Sequence, residues 1–152
     1  MNKQFADNPA APLDYDDALV RRVLDEAKTV AMIGASPNPA RDSHEVMGFL
    51  IGRGHRVIPV NPNAVGETIC GEPVVADLAD IGEPVDLVDV FRRSAWVGPL
   101  VDEILAEAPR LGIKSIWMQL NVRDDEAARR AEAAGLDVIM DRCPVIEYRR
   151  LG

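Results

Sequence analysis

The sharpest chemical feature of the chain is the run Gly34-Ala-Ser-Pro-Asn-Pro-Ala-Arg-Asp-Ser-His44. Gly34 can let the backbone approach a ligand closely. Ser36 and Ser43 can each donate a hydroxyl hydrogen bond, and Arg41 offers a forked, permanently charged donor suited to phosphate. Further polar and basic groups recur at intervals: Asn61-Pro62-Asn63, Arg92-Arg93-Ser94, Leu120-Asn121 and Asp141-Arg142-Cys143-Pro144. Together they describe a site for an anionic ligand. The plainer roles are a turn glycine at 34, local capping by the serines, and arginines exposed because loops are exposed.

These segments are brought together only if each follows a strand. Val30–Ile33, Arg56–Val60, Val85–Phe91, Ser115–Gln119 and Asp137–Met140 are short apolar runs of the kind that form buried parallel strands. Between them lie helical patterns over residues 14–28, 45–53, 94–108 and 124–134, with Asp42 or Ser43 as the expected N-cap of the second and Pro99 in the first turn of the third. Residues 61–81 are irregular, with room for a short strand at Val74-Val75, and the segment from Pro144 onward is too short to assign. Residues 1–13 read as a tail, loose or docked, and 14–152 as one domain. Strands alternating with helices imply βαβ units and right-handed crossovers. The expected fold is a three-layer Rossmann-like α/β domain on a mainly parallel sheet of five or six strands. In such sheets ligands bind beyond the carboxyl ends of the strands, where every segment named above would lie.

The loop after the first strand would open a helix, whose free N–H groups make an anion site. It is not a dinucleotide fingerprint, because Ser36 and Pro39 stand where glycines are needed, and Asn61 stands where an acid would hold a ribose hydroxyl. It is not a P-loop, because no GK[ST] follows. With 152 residues, 47% apolar and 28% charged, the chain suits one soluble domain, and its net charge of −8 argues against nucleic acid and against anionic membrane surfaces. No apolar run approaches the roughly 18 residues of a membrane span. Cys70 and Cys143 form no metal-binding spacing, and the start has no apolar signal region, so a cytoplasmic protein with reduced thiols is expected.

Five elements in order, Ile33–His44, Val57–Pro62, Val85–Ser94, Ile116–Gln119 and Met140–Pro144, resemble the small stand-alone CoA-binding domain proteins, which are similar in fold to the CoA-binding domain of the succinyl-CoA synthetase α subunit. The resemblance implies coenzyme A or an acyl-CoA as the ligand, with its pyrophosphate on Gly34–Ser43 and its nucleotide end near Asn61-Pro62 and Phe91-Arg92. It carries Gly34, Ser36, Arg41, Asn61 and Arg92 into the site; His44, Trp117 and Gln119 also fit the pattern, His44 equally as a cap and Trp117 more naturally as core.

The synthetase relatives also need a phosphorylated histidine and an ATP-grasp partner. Neither His44 nor His55 stands in a recognisable phosphohistidine context. Asp86 and Asp89 are read as lying on one side of their strand, a conceivable carboxylate pair, with interior polar contacts the plainer role. Cys143 follows Arg142, whose charge would favour the thiolate, and could form a mixed disulfide with the pantetheine thiol. A non-enzymatic CoA-binding module is the leading expectation. The alternatives are the CoA-binding component of an acyl-CoA ligase working with a separate subunit, and an NAD(H)-binding redox sensor; a homo-oligomer is compatible with each.

Overall fold

A computed structural model describes residues 12–152. The expected tail therefore lies, except for Pro12 and Leu13, outside the described residues. Five parallel strands, β1 (Thr29–Ile33), β2 (Arg56–Val60), β5 (Leu87–Val90), β6 (Ser115–Met118) and β7 (Asp137–Ile139), form one sheet in the order β2-β1-β5-β6-β7. A two-residue hairpin, β3 (Thr68–Ile69) with β4 (Glu72–Pro73), stands apart from it. The expected extra strand at Val74-Val75 reduces to a single bridge, Val60 to Val75, because the chain turns through the hairpin just before it.

The strands are buried on both faces, which is why they read as continuous apolar runs. On one face α3 (Ser94–Leu111) and α4 (Asp125–Ala133) press Val97, Val101, Ile104, Ala127, Ala128 and Ala131 onto Ala31, Ile33, Val88, Val90, Ile116 and Met118. On the other, α1 (Asp17–Glu26), α2 (Asp42–Gly52) and α5 (Pro144–Leu151) cover Val30, Met32, Leu87, Trp117 and Ile139 with Val20, Val23, Met47, Leu50 and Val145. The sheet and its two helical layers are the three layers of a Rossmann-like α/β domain. Among the described residues no helix is long and apolar enough to cross a membrane.

Local chemistry explains most boundaries. Asp16 caps α1 and Asp124 caps α4 through side-chain bonds of 3.0 Å each. α2 begins at Asp42 with Arg41 at the N-cap position, so neither Asp42 nor Ser43 is the cap. Ser43 is instead buried in the first turn. Pro99 falls in the second turn of α3 rather than the first, and the helix continues past Ala108 through Pro109 to Leu111. Both prolines lie on the exposed side, where the carbonyls they leave unpaired can bond water. Gly112, left-handed, ends the helix.

Both edges of the sheet are met by other groups near their carboxyl ends. Beyond β2, Val75 N–H donates to Pro59 and Asn61 N–H donates to Val75, while Arg56 bridges Glu72 and Glu83. Beyond β7, the Met140 N–H donates to the Tyr15 hydroxyl at 2.9 Å. Burial pushes the Tyr15 phenol up to about 12. Arg142 stacks over the Tyr15 ring and donates to the Leu13 carbonyl at 2.7 Å, so the described end of the tail is docked.

Two features at the centre of the sheet set its energetics. Gly34 leaves β1 at φ +84°, and a Cβ there would lie 2.1 Å from the Phe91 carbonyl oxygen. Asp89, in the middle of β5, is fully buried between Met32 and Trp117 on the neighbouring strands. Its Oδ1 accepts from Gln119 Nε2 at 2.5 Å, while its Oδ2 has no partner among the described residues. Burial raises its carboxyl from an ordinary 3.8 to about 7, the Gln119 bond offsetting only part of the effect. Asp86 lies three residues earlier, before β5 begins, so the two do not pair. It accepts from Thr29 N–H and bridges Lys114 at the amino end of the sheet.

Gly34→Ala should destabilise the fold by about 2–5 kcal/mol, the scale of left-handed strain plus overpacking, in urea unfolding. Gly66→Ala, at φ +94° with nothing within 4 Å, should cost only the strain. A similar cost at the two sites would show that the Phe91 approach does not matter. For Asp89, between pH 3.8 and about 7 the folded chain retains a proton that the unfolded chain has released. Its contribution is fully present below the unfolded value, is lost as pH rises through about 7, and then levels off. Asp89→Asn should therefore gain stability relative to the native chain as pH rises across that window; a constant difference in urea midpoints would contradict the burial argument.

Candidate functional site

The sheet's switch point lies between β1 and β5, whose chains depart to opposite faces. There the Gly34 N–H donates to the Val60 carbonyl at 2.9 Å, and the Phe91 N–H to Ile33 at 2.8 Å. A cleft of about 740 Å³ opens beside it, between α2 and α5. That size falls within the roughly 300–1,000 Å³ of small-molecule sites.

Of the residues expected to gather, Gly34, Ser36, Arg41, Ser43, Phe91, Arg92, Gln119 and Cys143 all line this cleft. Arg93 and Leu120-Asn121 line it too. His44, Asn61 and Pro62 do not. Asn61 spends its side chain on the backbone: Nδ2 donates to the Ala35 carbonyl, and Oδ1 accepts from Asn63 N–H, both at 2.9 Å. It thereby ties the end of β2 to the loop after β1, and Pro62 beside it is exposed. His44 is half-buried in α2, one residue beyond the wall formed by Ser43.

The loop from Ser36 to Arg41 is held by its own polar groups. Ser36 N–H donates to Ser43 Oγ at 3.1 Å, Asn38 N–H to Ser36 Oγ at 3.1 Å, and Ala40 N–H to Asn38 Oδ1 at 2.9 Å. Each serine oxygen therefore accepts a bond while its hydroxyl proton stays available to donate. Among the described residues, α2, α3 and α5 have no side-chain cap bond from their N-cap residues, Arg41, Arg93 and Cys143. All three of those residues line the cleft. Four arginines, 41, 92, 93 and 149, face it against the two carboxylates Asp42 and Glu45. The local balance is positive in a chain of net charge −8.

The last helix supplies what sequence reasoning missed. α5 brings Val145, Ile146 and Arg149 to the cleft wall. Its signals were Pro144 at the first helical position and Val145, Tyr148 and Leu151 at three-residue spacing, short for a periodicity argument. Arg142, expected at the site, is committed to Leu13, the Asp141 carbonyl and the Tyr15 ring. It is thus not the cation that Cys143 was expected to use. Asp141, at φ 55°, accepts from Asn121 N–H at 2.7 Å, and Ser94 Oγ accepts from Arg123 N–H at 2.9 Å, which fixes the loop after β6. Trp117 is core, its Nε1 donating to the Arg142 carbonyl at 2.9 Å. His55 is bonded to Ala27 and Tyr148. Among the described residues no His, Cys, Asp and Glu cluster could hold a metal.

Comparison with known proteins covers the same elements. The uncharacterized protein YneT of Bacillus subtilis (strain 168) is 35% identical over 127 residues, 83% of this chain and 89% of the relative. The structure of cell-free ID.343 from Thermus thermophilus is 39% identical, with a TM-score of 0.83 over 91% of this chain and 100% of that one. An acetyl-coenzyme A synthetase of Ca. Korarchaeum cryptofilum shares the fold at 21% identity and a TM-score of 0.63, over 81% of this chain and 27% of its own. Residues 28–149 match the CoA binding domain family. Because that match runs from the residue before β1 into α5, and so takes in every strand end that builds the cleft, the chain belongs to the CoA binding domain family.

Proposed function

We propose that the protein is a non-enzymatic binding module for coenzyme A or an acyl-CoA, with the ligand's pyrophosphate on residues 34–43 at the junction of β1 and α2. The observation that carries this reading is the pattern of caps. Of the five α-helices among the described residues, the two with side-chain caps, α1 and α4, have Asp at the N-cap, and the three without one begin at the cleft. An uncapped helix start leaves N–H groups and the positive end of the dipole for an anion. Arg41, Arg92 and Arg93 add full charges beside two of those starts.

Recognition without chemistry fits the way the reactive groups are used. Asp141 holds a backbone N–H, His55 is engaged away from the cleft wall, and His44 stands behind Ser43 rather than on the wall. In this reading Asn61 acts by bracing the loop, not by touching the ligand.

Arg41→Ala should weaken CoA binding by roughly 1.5–3 kcal/mol in calorimetry, the scale of a charge-assisted hydrogen bond. Asn61→Ala should also weaken it, by relaxing the loop, with a smaller change in salt dependence than Arg41→Ala. Unchanged affinity in Arg41→Ala would move the phosphate away from this loop, and the absence of any CoA binding by the native chain would overturn the reading.

A further inference from the structure

Stability does not explain Asp89. A carboxylate wholly buried between Met32 and Trp117, with one oxygen unpartnered among the described residues, is a cost to the fold. Its one hydrogen bond leads to the cleft, because Gln119 is part of the wall. The Gln119 Nε2 is committed to Asp89, whereas its Oε1 accepts nothing from the described residues and is not among their buried, unpartnered atoms.

We propose that Gln119 reads a hydrogen-bond donor on the neutral arm of the bound ligand, and that Asp89 is the positioning residue that fixes which atom of the Gln119 amide faces that arm. This rests on the reading of the cleft given above. An ionised carboxylate can only accept, so it must take the Gln119 N–H and leave the carbonyl oxygen toward the cleft. That oxygen selects an amide N–H or a hydroxyl of the ligand. A protonated Asp89 can donate to Gln119 Oε1, and a half-turn of the amide then shows N–H to the cleft, the wrong polarity for the same ligand. Charge divides the lining by chemistry: Arg41, Arg92, Arg93 and Arg149 draw the phosphates, while Gln119, Val122, Val145 and Cys143 are uncharged and suit the neutral arm.

The surroundings leave this switch to Asp89 itself. Its neighbours on β1 and β6 are uncharged, and α1 turns Val20, Val23 and Leu24 to the same core. On α5, Glu147 is paired with Arg150 and Tyr148 with His55, while Cys143 and Arg149 face the cleft. On α2, Asp42 and Glu45 face the cleft and His44 lies behind them; Arg41, Arg92 and Arg93 border it. None of these groups bonds to Asp89; burial raises its carboxyl and the Gln119 bond offsets part of that rise.

The test is calorimetry of the full chain with CoA at about pH 5.5 and about pH 8.5, on either side of the Asp89 transition. Native protein is compared with Asp89→Asn and Gln119→Met, and adenosine 3′,5′-bisphosphate serves as a ligand without the neutral arm. Ionisation of the ligand is common to all proteins and cancels in the Kd ratio of variant to native. At the higher pH both variants should bind CoA about three- to tenfold more weakly, the scale of one hydrogen bond, and the ratio should approach one at the lower pH. Adenosine bisphosphate should show a ratio near one throughout. Either variant suffices if the other does not fold. A ratio that ignores pH, or an equal loss with adenosine bisphosphate, overturns the proposal. If that happens while Arg41→Ala still weakens CoA, the site stands and only the Asp89–Gln119 role falls; if CoA does not bind the native chain, both fall.

Discussion

The missing side chain of Gly34 lets the ends of β1 and β5 stay together at the point where their chains part. Parallel strands there are already joined by the Phe91 N–H to Ile33 bond. Only a residue without Cβ lets β1 turn away at positive φ while that bond persists. From this turn follow the course of the loop to Ser43, the placement of the α2 N-terminus over the sheet edge, and the cleft between α2 and α5. The glycine was expected to admit a ligand to the backbone; its first duty is to admit another strand.

Around that turn the polar groups divide into those spent on the protein and those left over. Asn38, Asn61, Ser94 and Asp141 each satisfy backbone N–H groups or carbonyls, and so hold the three loops that follow β1, β2 and β6 in fixed relation. Three helix starts, the serine hydroxyl protons and four arginines are not consumed in this way. A site built from leftover donors has positive character without needing a basic protein, which reconciles an anion-binding cleft with a chain of net charge −8.

The layers of the fold were legible because each strand is an uninterrupted apolar run and each long helix carries one apolar face. β2 occupies Arg56–Val60 as read, and α1, α3 and α4 differ only at their ends. Strand ends also predicted the cleft, since parallel order puts all five carboxyl ends on one edge. What remained hidden depended on side-chain direction. Arg142 and Arg149 look alike as loop-end and terminal arginines, yet one clasps Leu13 and the other faces the cleft. Asn61 follows its strand as expected but turns inward to Ala35. The alternation of Asp86 and Asp89 with apolar residues suggests one face, whereas an odd separation of three residues sends them to opposite faces, and Asp86 lies before the strand begins. The hairpin at 68–73 has strands of two residues, too short to show any period.

Both margins of the sheet are met, near their carboxyl ends, by groups from elsewhere in the chain. Val75 takes up the outer bonds of β2, which carries Pro59 in its edge, and Tyr15 takes the Met140 N–H just past β7. These contacts take up outer backbone groups at the carboxyl ends of the edge strands, and so shorten the row of open donors and acceptors on which another chain could add a strand. The shorter an open edge, the fewer ladder bonds a second copy could gain there, so such partial cover works against edge-to-edge growth of the sheet.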